Sequence, residues 1–181
     1  MKSKLIKLHL GCRSKKIHGF VNIDIDPSVE PDLIEDVRSL PSFKQNSVDL
    51  IYASHVLEHF KKREFIKILM RWHEILKPGG VLRLAVPDIE ACINHYNKFQ
   101  NLNILKNLIW GAQEDEYAAH YNGWDFESLK LELQTIGFNK IYKWDWKKTE
   151  HSYVDDYSQA YLPRLDKVNG MLMSLNIESI K

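Results

Sequence analysis

The stretch "SVDLIYASHVLEHF", residues 47–60, changes from an apolar run to a polar turn within a few positions. Its first part, "SVDLIYAS" (47–54), is short, apolar and rich in strand-forming residues, which predicts a buried strand. Its second part contains "HVLEH" (55–59), in which two histidines and a glutamate follow that strand directly. Polar residues at the end of a buried strand lie where α/β proteins bind ligands. The stretch therefore predicts a central strand with a candidate site at its carboxyl end.

Further strands are predicted on either side of this stretch. They are "KLIKLHLG" (4–11), "FVNIDID" (20–26), "DLIED" (32–36) and "VLRLAVP" (81–87), bounded by glycine, proline or acidic residues. Apolar side chains at helical spacing in "FKKREFIKILMRWHEIL" (60–76) predict an amphipathic helix before the fifth strand. A second helical region is predicted over about residues 88–110.

The C-terminal part of the chain predicts one more helix and two more strands. Asp125 is a good N-cap for the helix and Gly137 ends it. The strands are "FNKIYKWDW" (138–146) and "MLMSLNIESI" (171–180), separated by a polar segment with several aromatic side chains that we expect to be an ordered or partly mobile loop. Strands that alternate with helices predict an α/β domain with a mostly parallel sheet.

Composition excludes several classes of function. The chain is 44% apolar and 27% charged, and its net charge of +1 gives no basic field for nucleic acid or an anionic membrane. Cys12 and Cys92 form no C-x-x-C pair, which favours a reduced, cytoplasmic protein. No run approaches the roughly 18 apolar residues of a membrane span, and the polar start is not typical of an export signal. We therefore expect a cytoplasmic protein without a membrane span, and the sequence indicates no oligomeric state.

Five segments taken in order resemble one family. They are "LHLGC" (8–12), "VNIDID" (21–26), "EDVRSLP" (35–41), "SVDLIYASHVLEHF" (47–60) and "WHEILKPGGVLRLAVPD" (72–88). Together they are similar to the class I S-adenosylmethionine-dependent methyltransferases of the type 11 group, in which "VLEH" and "LKPGG" are signatures. The resemblance covers about residues 5–90 and continues more loosely through "GWDFESLKLELQTIGF" (123–138) to the last strand.

The resemblance implies the fold and the domain organisation. We expect one Rossmann-like methyltransferase domain over residues 1–181, with a mostly parallel sheet and an antiparallel last strand. The cofactor half spans about residues 1–90, and the acceptor or lid and sheet-closing part spans about 91–181. About ten residues separate the first two strands, near the minimum for a parallel crossover, so the helices between strands one to three are trimmed.

The resemblance also assigns residues to S-adenosylmethionine. Those expected to bind it are Gly11, Cys12, Asp24, Asp26, Asp36, Val37, Ser54, His55 and His59. Gly11 lets the backbone approach the cofactor, and either Asp24 or Asp26 accepts hydrogen bonds from both ribose hydroxyls. Asp36 and the residue after it meet the adenine. Cys12 is expected to be a small loop residue more than a nucleophile, and His59 a wall of the pocket.

Three residues are candidates for the catalytic, acceptor side. His55 follows the fourth strand, where a neutral imidazole could take a proton from a hydroxyl; it could equally be a polar loop residue or a helix cap. Asp88 follows the fifth strand, but it could also cap the next helix. His120 lies in the segment where this family builds its acceptor lid.

The acceptor expected from the sequence is a small molecule or a saccharide, through a hydroxyl. Methyltransferases that modify base amines carry Asn/Asp-Pro-Pro-Tyr after the fourth strand, whereas this chain has "ASHV" (53–56), so nucleic acid is disfavoured. The saccharide rests on the resemblance to short relatives associated with surface-polysaccharide synthesis.

Two alternatives to an active methyltransferase stay open. The family's Gly-x-Gly-x-Gly has shrunk to "GCRSK" (11–15), which would suit a catalytically inactive binding protein of the same fold. "HVLEH" also matches an inverted zinc-protease motif, which would suit a zinc hydrolase. The motif begins at a strand end and not within a helix, so we expect no metal.

Overall fold

The computed structural model describes residues 5–114 and 117–181. These residues form a seven-stranded sheet of order β3-β2-β1-β4-β5-β9-β6. Residues 1–4, which include the start of the predicted first strand, and 115–116, in the predicted acceptor segment, lie outside the described residues. The strands are β1 (Lys7–Leu10), β2 (Val21–Asp24), β3 (Leu33–Ile34), β4 (Val48–Ser54), β5 (Leu76–Pro87), β6 (Asn139–Lys143), β7 (Tyr161–Leu162), β8 (Met171–Leu172) and β9 (Ser174–Ile180). Strands β7 and β8 form a separate two-stranded ribbon.

The pairing confirms a mostly parallel sheet with an antiparallel last strand. Strand β1 pairs in parallel with both β2 and β4, and β2–β3 and β4–β5 are also parallel. Strand β9 lies between β5 and β6 and runs antiparallel to both. The strand order reverses between β1 and β4, so the ligand-binding edge of an α/β sheet falls at their carboxyl ends.

The described part of the chain contains four α-helices: α1 (Lys62–Ile75), α2 (Ile89–Phe99), α3 (Lys106–Trp110) and α4 (Phe126–Ile136). The predicted cap of α4 is confirmed, because the Asp125 carboxylate accepts from the Ser128 amide at 2.8 Å. Gly137 ends α4 with φ +115°, a backbone conformation that favours glycine. The trimming between strands one to three is confirmed as well: the described residues there contain one short 3₁₀ helix, Pro27–Val29, and no α-helix.

The two faces of the main sheet differ in chemistry. One face packs with α1 and α4 into the largest apolar core, whose sheet members include Leu8, Leu10, Ile23, Ile51, Ala53, Leu82, Leu84, Leu175 and Ile177. Because side chains alternate along a strand, the residues between these lie on the opposite face. Several of them are polar or aromatic, including His9, Tyr52, Arg83 and Glu178, and all four are buried.

The chain between β6 and the ribbon covers this second face. The Tyr52 hydroxyl donates to the Asp156 carboxylate at 2.6 Å, and the Trp144 indole donates to the Leu84 carbonyl at 3.0 Å. Val154 packs with Trp144 in a second apolar cluster on that face. The segment predicted as a loop therefore takes the place of a helical layer. No helix among the residues described is long and apolar enough to cross a membrane.

Candidate functional site

Gly11 lies where the loop after β1 meets the loop after β4. Its φ is +62°, and a Cβ there would come within 2.6 Å of Val56 Cγ2. The position therefore requires glycine for its backbone conformation and for the close approach of the two loops. Leu10 is opposite Ala53 in the β1–β4 register, so Gly11 and Ser54 follow neighbouring strand ends.

The carboxylate of Asp24 is held in place by main-chain groups. The residue is 8% exposed, and its oxygens accept from the amides of Arg13 at 2.8 Å and Asp26 at 3.0 Å. Each carboxylate oxygen has a further lone pair for another donor. The side chain of Asp26 instead accepts from the Ser28 amide at 2.8 Å and caps a 3₁₀ helix. Of the two candidates for the ribose, the geometry favours Asp24.

Cys12 does not have the environment of a nucleophile. The residue is buried, and its burial, with the nearby Asp24, raises the pKa of the thiol to about 11. A thiol with this pKa is protonated at neutral pH and reacts slowly. This agrees with the interpretation of Cys12 as a small residue of the loop.

The two residues expected near the adenine already have partners within the protein. The Asp36 carboxylate accepts from the Arg38 guanidinium at 2.6 to 2.9 Å. Val37 is buried in the main core, and its carbonyl accepts from the Trp72 indole at 2.8 Å. Contact of either residue with adenine stays a prediction.

His55 lies in a strained and buried position at the end of β4. Its φ is +52°, its side chain is 7% exposed, and its amide donates to the Ala85 carbonyl at 2.8 Å. The imidazole Nε2 is 3.3 Å from the Ser174 hydroxyl, and Nδ1 is 3.2 Å from a Glu58 carboxylate oxygen. Burial, helped by His120 and His59, lowers the pKa of His55 to about 3, so the ring is neutral at physiological pH.

Glu58 lies in the first turn of the 3₁₀ helix Leu57–His59, and its side chain is fully buried. Neither carboxylate oxygen takes part in a hydrogen bond of good geometry. Burial raises the pKa of Glu58 to about 8. An acid in the first turn of a helix is ordinarily a solvated charge, whereas the side chain of Glu58 is buried. A buried carboxylate without a donor is costly and points to a role other than capping.

His59 and His120 meet in space although they are far apart in the sequence. Their rings pack edge to face with centroids 4.8 Å apart. Nδ1 of His59 lies 3.1 Å from the Ala119 carbonyl, and Nδ1 of His120 lies 3.0 Å from the Leu108 carbonyl. Burial and the neighbouring His59 lower the pKa of His120 to about 4. The structure thus brings His120 onto the "HVLEH" turn.

Asp88 acts as a helix cap. Its carboxylate accepts from the Ala91 amide at 3.1 Å at the start of α2. Capping was the alternative to its acceptor-side role, and the latter stays a prediction. A cavity of about 330 Å³ lies beside this cap and is lined by Ile89, Glu90, Ile93, Gly123, Trp124, Asp125 and Ser128. A second cavity, of about 350 Å³, lies at the opposite edge of the sheet, near the starts of β1, β4 and β5. Neither contains a residue predicted to bind the cofactor.

Comparison with known proteins decides the family. A family model of the methyltransferase domain matches residues 9–143. The chain belongs to this methyltransferase family. It is a class I enzyme that uses S-adenosylmethionine, as the order of motifs predicts. A search of the curated proteins finds no match to this methyltransferase.

Solved structures share the fold of this methyltransferase at low sequence identity. An S-adenosylmethionine-dependent methyltransferase from Methanosarcina mazei is 19% identical, with a TM-score of 0.62, and the match covers 100% of this chain and 94% of that one. One from Archaeoglobus fulgidus is 15% identical, with a TM-score of 0.60 and coverage of 99% and 87%. The family supports an active enzyme over the inactive binding protein, and the family and the fold together count against the zinc hydrolase.

The residues at the sheet edge of the methyltransferase fit S-adenosylmethionine. Asp24 offers carboxylate lone pairs for hydroxyl groups, and the Ser54 hydroxyl is buried without a hydrogen-bond partner among the described residues. Sequence reasoning missed Ser174 and Tyr157, which contact His55 from the C-terminal part of the chain. For Ser174 the predicted antiparallel last strand was the available signal. Ser174 is the first residue of that strand and pairs with Pro87 at the end of β5.

Proposed function

We propose that this methyltransferase transfers the methyl group of S-adenosylmethionine to a hydroxyl of a small molecule or a saccharide. The observation that carries the proposal is the neutral, buried imidazole of His55 at the carboxyl end of β4, beside the point where the strand order reverses. In this position a side chain can face both a cofactor and an acceptor.

The cofactor supplies a methyl group on a sulfonium, which is displaced in line by the acceptor oxygen. In the proposal Asp24 holds the ribose hydroxyls, with Asp26 as the weaker candidate, and the loop of Gly11 and Cys12 lies against the rest of the cofactor. Asp36 and Val37 flank the adenine. Ser54 and His59 line the pocket near the transferred methyl group.

His55 removes the proton of the acceptor hydroxyl as the methyl group arrives. A neutral imidazole is a proton acceptor, and its low pKa suffices because an oxygen that gains a methyl group becomes strongly acidic. Nε2 is the nitrogen assigned to this step. It lies 3.3 Å from the Ser174 hydroxyl, and in the proposal the acceptor hydroxyl replaces this contact before Nε2 takes its proton. Ser174 in turn lies 3.0 Å from the Asn176 side-chain oxygen. A positioned base contributes about 10²–10⁴-fold to the rate.

The acceptor binds between His55 and the C-terminal part of the chain. We assign His120 and Asp88 to that side, and we treat residues 1–181 as one domain in which about 1–90 hold the cofactor. A neutral acceptor suits the net charge of +1. Cys12 and Cys92 are free and buried, which suits a reducing, cytoplasmic location.

Calorimetry and transfer assays test the proposal together. We expect S-adenosylhomocysteine to bind, and a labelled methyl group to pass from S-adenosylmethionine to at least one member of a panel of sugars and small alcohols. His55→Ala should lower turnover by about 10²–10⁴-fold and leave cofactor affinity nearly unchanged. His73→Ala, on α1, is the matched control and should keep both.

Three results would count against the proposal. Absence of heat on titration with S-adenosylhomocysteine would remove the cofactor site. Transfer to amines alone would exclude the hydroxyl. Unchanged turnover in His55→Ala would make His55 a residue of the loop.

A further inference from the structure

Three side chains that commonly bind metals meet beside the methyl-transfer edge. Glu58, His59 and His120 each offer one ligand atom, and these atoms all lie within 4.8 Å of one another. We propose that they bind one divalent first-row transition-metal cation, such as Zn²⁺, Co²⁺ or Mn²⁺. This inference goes beyond methyl transfer and does not depend on it.

The hydrogen bonds of the two histidines orient them as metal ligands. A carbonyl oxygen can only accept, so Nδ1 of His59 donates to Ala119 and Nδ1 of His120 donates to Leu108. In the neutral ring of His120 this leaves the lone pair on Nε2. Metal-binding histidines are typically fixed in this way, with one ring nitrogen on a backbone carbonyl and the other on the metal.

Glu58 is the independent observation that points to a cation. Its side chain is fully buried, and neither oxygen takes part in a hydrogen bond of good geometry. The neighbouring His55 comes within 3.2 Å of one oxygen, but this contact does not meet the geometry of a hydrogen bond. A cation would compensate the buried carboxylate, as a paired charge does elsewhere in protein interiors.

The ligand types select the class of metal. Two imidazoles and one carboxylate suit zinc and the other first-row divalent ions, whereas Mg²⁺ and Ca²⁺ prefer oxygen ligands. Tetrahedral ligand atoms about 2.1 Å from a metal lie about 3.4 Å apart, so a spread of at most 4.8 Å requires a contraction of up to about 1.4 Å. Three protein ligands would leave a coordination position for water or an acceptor oxygen.

This arrangement differs from the zinc motif considered for "HVLEH". In that motif both histidines bind the metal and the glutamate is the base. Here Glu58 is itself a ligand, His55 is outside the ligand set, and the third ligand comes from the segment before α4. The spacing of "HVLEH" does not indicate this set, because His120 lies 61 positions after His59.

Metal binding can be measured on the full chain without an activity assay. The protein is stripped with a chelator, dialysed, and titrated with ZnCl₂, CoCl₂ and MnCl₂ by calorimetry, with metal content determined after gel filtration. We expect one equivalent of Zn²⁺ or Co²⁺, a Co²⁺ d–d spectrum, and a higher melting temperature with metal.

Two ligand variants and one control assign the site. Glu58→Gln keeps the shape of the side chain, and His120→Phe keeps its ring. Each variant should weaken metal binding by more than about 100-fold. This is more than the loss caused by a change to a residue that only holds a ligand in place. His18→Gln, at an exposed histidine, should bind like the wild type. Either ligand variant suffices if the other fails to fold.

The proposal is overturned if the stripped wild type takes up none of the three metals. It is also overturned if both folded ligand variants bind as tightly as the wild type, or if His18→Gln loses affinity equally. These outcomes are independent of methyl transfer, so they are distinguishable from a failure of the proposed function.

Discussion

Replacement of Gly11 by alanine should destabilise the protein for two separable reasons. An L-residue at φ +62° costs about 1–2 kcal/mol. The new Cβ would lie 2.6 Å from Val56 Cγ2, and such overpacking costs about 1–3 kcal/mol. We therefore expect Gly11→Ala to lower the free energy of unfolding by about 2–5 kcal/mol.

Two further variants separate the backbone cost from the contact. Gly19 also has a positive φ, +84°, but a Cβ there meets nothing within 4 Å, so Gly19→Ala should cost about 1–2 kcal/mol. Val56→Ala removes the methyl groups with which the new Cβ of Gly11→Ala would clash. In the double variant the two substitutions should be less destabilising than their sum by about 1–3 kcal/mol.

Urea unfolding followed by circular dichroism measures the four variants and the wild type. Equal costs for Gly11→Ala and Gly19→Ala, or additive effects in the double variant, would refute the contact with Val56. Calorimetry with S-adenosylhomocysteine then tests the loop itself: a double variant that regains stability but not affinity would show that Gly11 also serves the cofactor.

Two further predictions concern the buried face of the sheet. Burial, reinforced by Arg83, lowers the pKa of His151 to about 4. As the pH falls, the unfolded chain therefore takes up a proton on His151 before the folded protein does. The contribution of the neutral His151 to the free energy of unfolding is full above pH 6.5 and is lost as the pH falls towards 4. Between pH 7 and pH 5, urea unfolding should show that His151 accounts for about 1–2 kcal/mol of the decrease in the free energy of unfolding. In His151→Phe this decrease should be smaller by the same amount. Equal pH profiles for the two proteins would contradict the prediction. Arg83 donates to Glu178 at 3.0 and 3.2 Å, so Arg83→Met should lower the free energy of unfolding by about 3 kcal/mol, measured by thermal unfolding. Most of this loss should be recovered in the double variant Arg83→Met/Glu178→Gln. A double variant as unstable as Arg83→Met would be inconsistent with a buried ion pair.

The strands and the main helices follow from local sequence patterns. The apolar run of β4, the helical spacing of α1 and the Asp125 cap each depend on neighbours a few residues apart, and each is present in the structure. The positions at strand ends follow from the same patterns, because parallel strands share one carboxyl edge. Gly11, Asp24 and His55 could therefore be placed at this edge from the sequence.

The partners across the site could not be predicted in this way. His59 and His120 are 61 positions apart, and their contact depends on how the segment before α4 folds back, as in the bond from the Tyr121 amide to the Glu58 carbonyl at 2.8 Å. The burial of Glu58 is equally non-local, since an acid in a first turn is ordinarily solvated. The polar second face was missed because most of its cover, residues 147–160, has no helical or strand period.

The position of β9 has a consequence for synthesis of the protein. This strand is made after all the others that we describe, yet it lies inside the sheet between β5 and β6. Until it leaves the ribosome, β5, which spans 12 residues, presents an unpaired edge of backbone donors and acceptors. Nascent chains that pause before residue 174 are thus the species most exposed to aggregation, and chaperones would act on them at this stage.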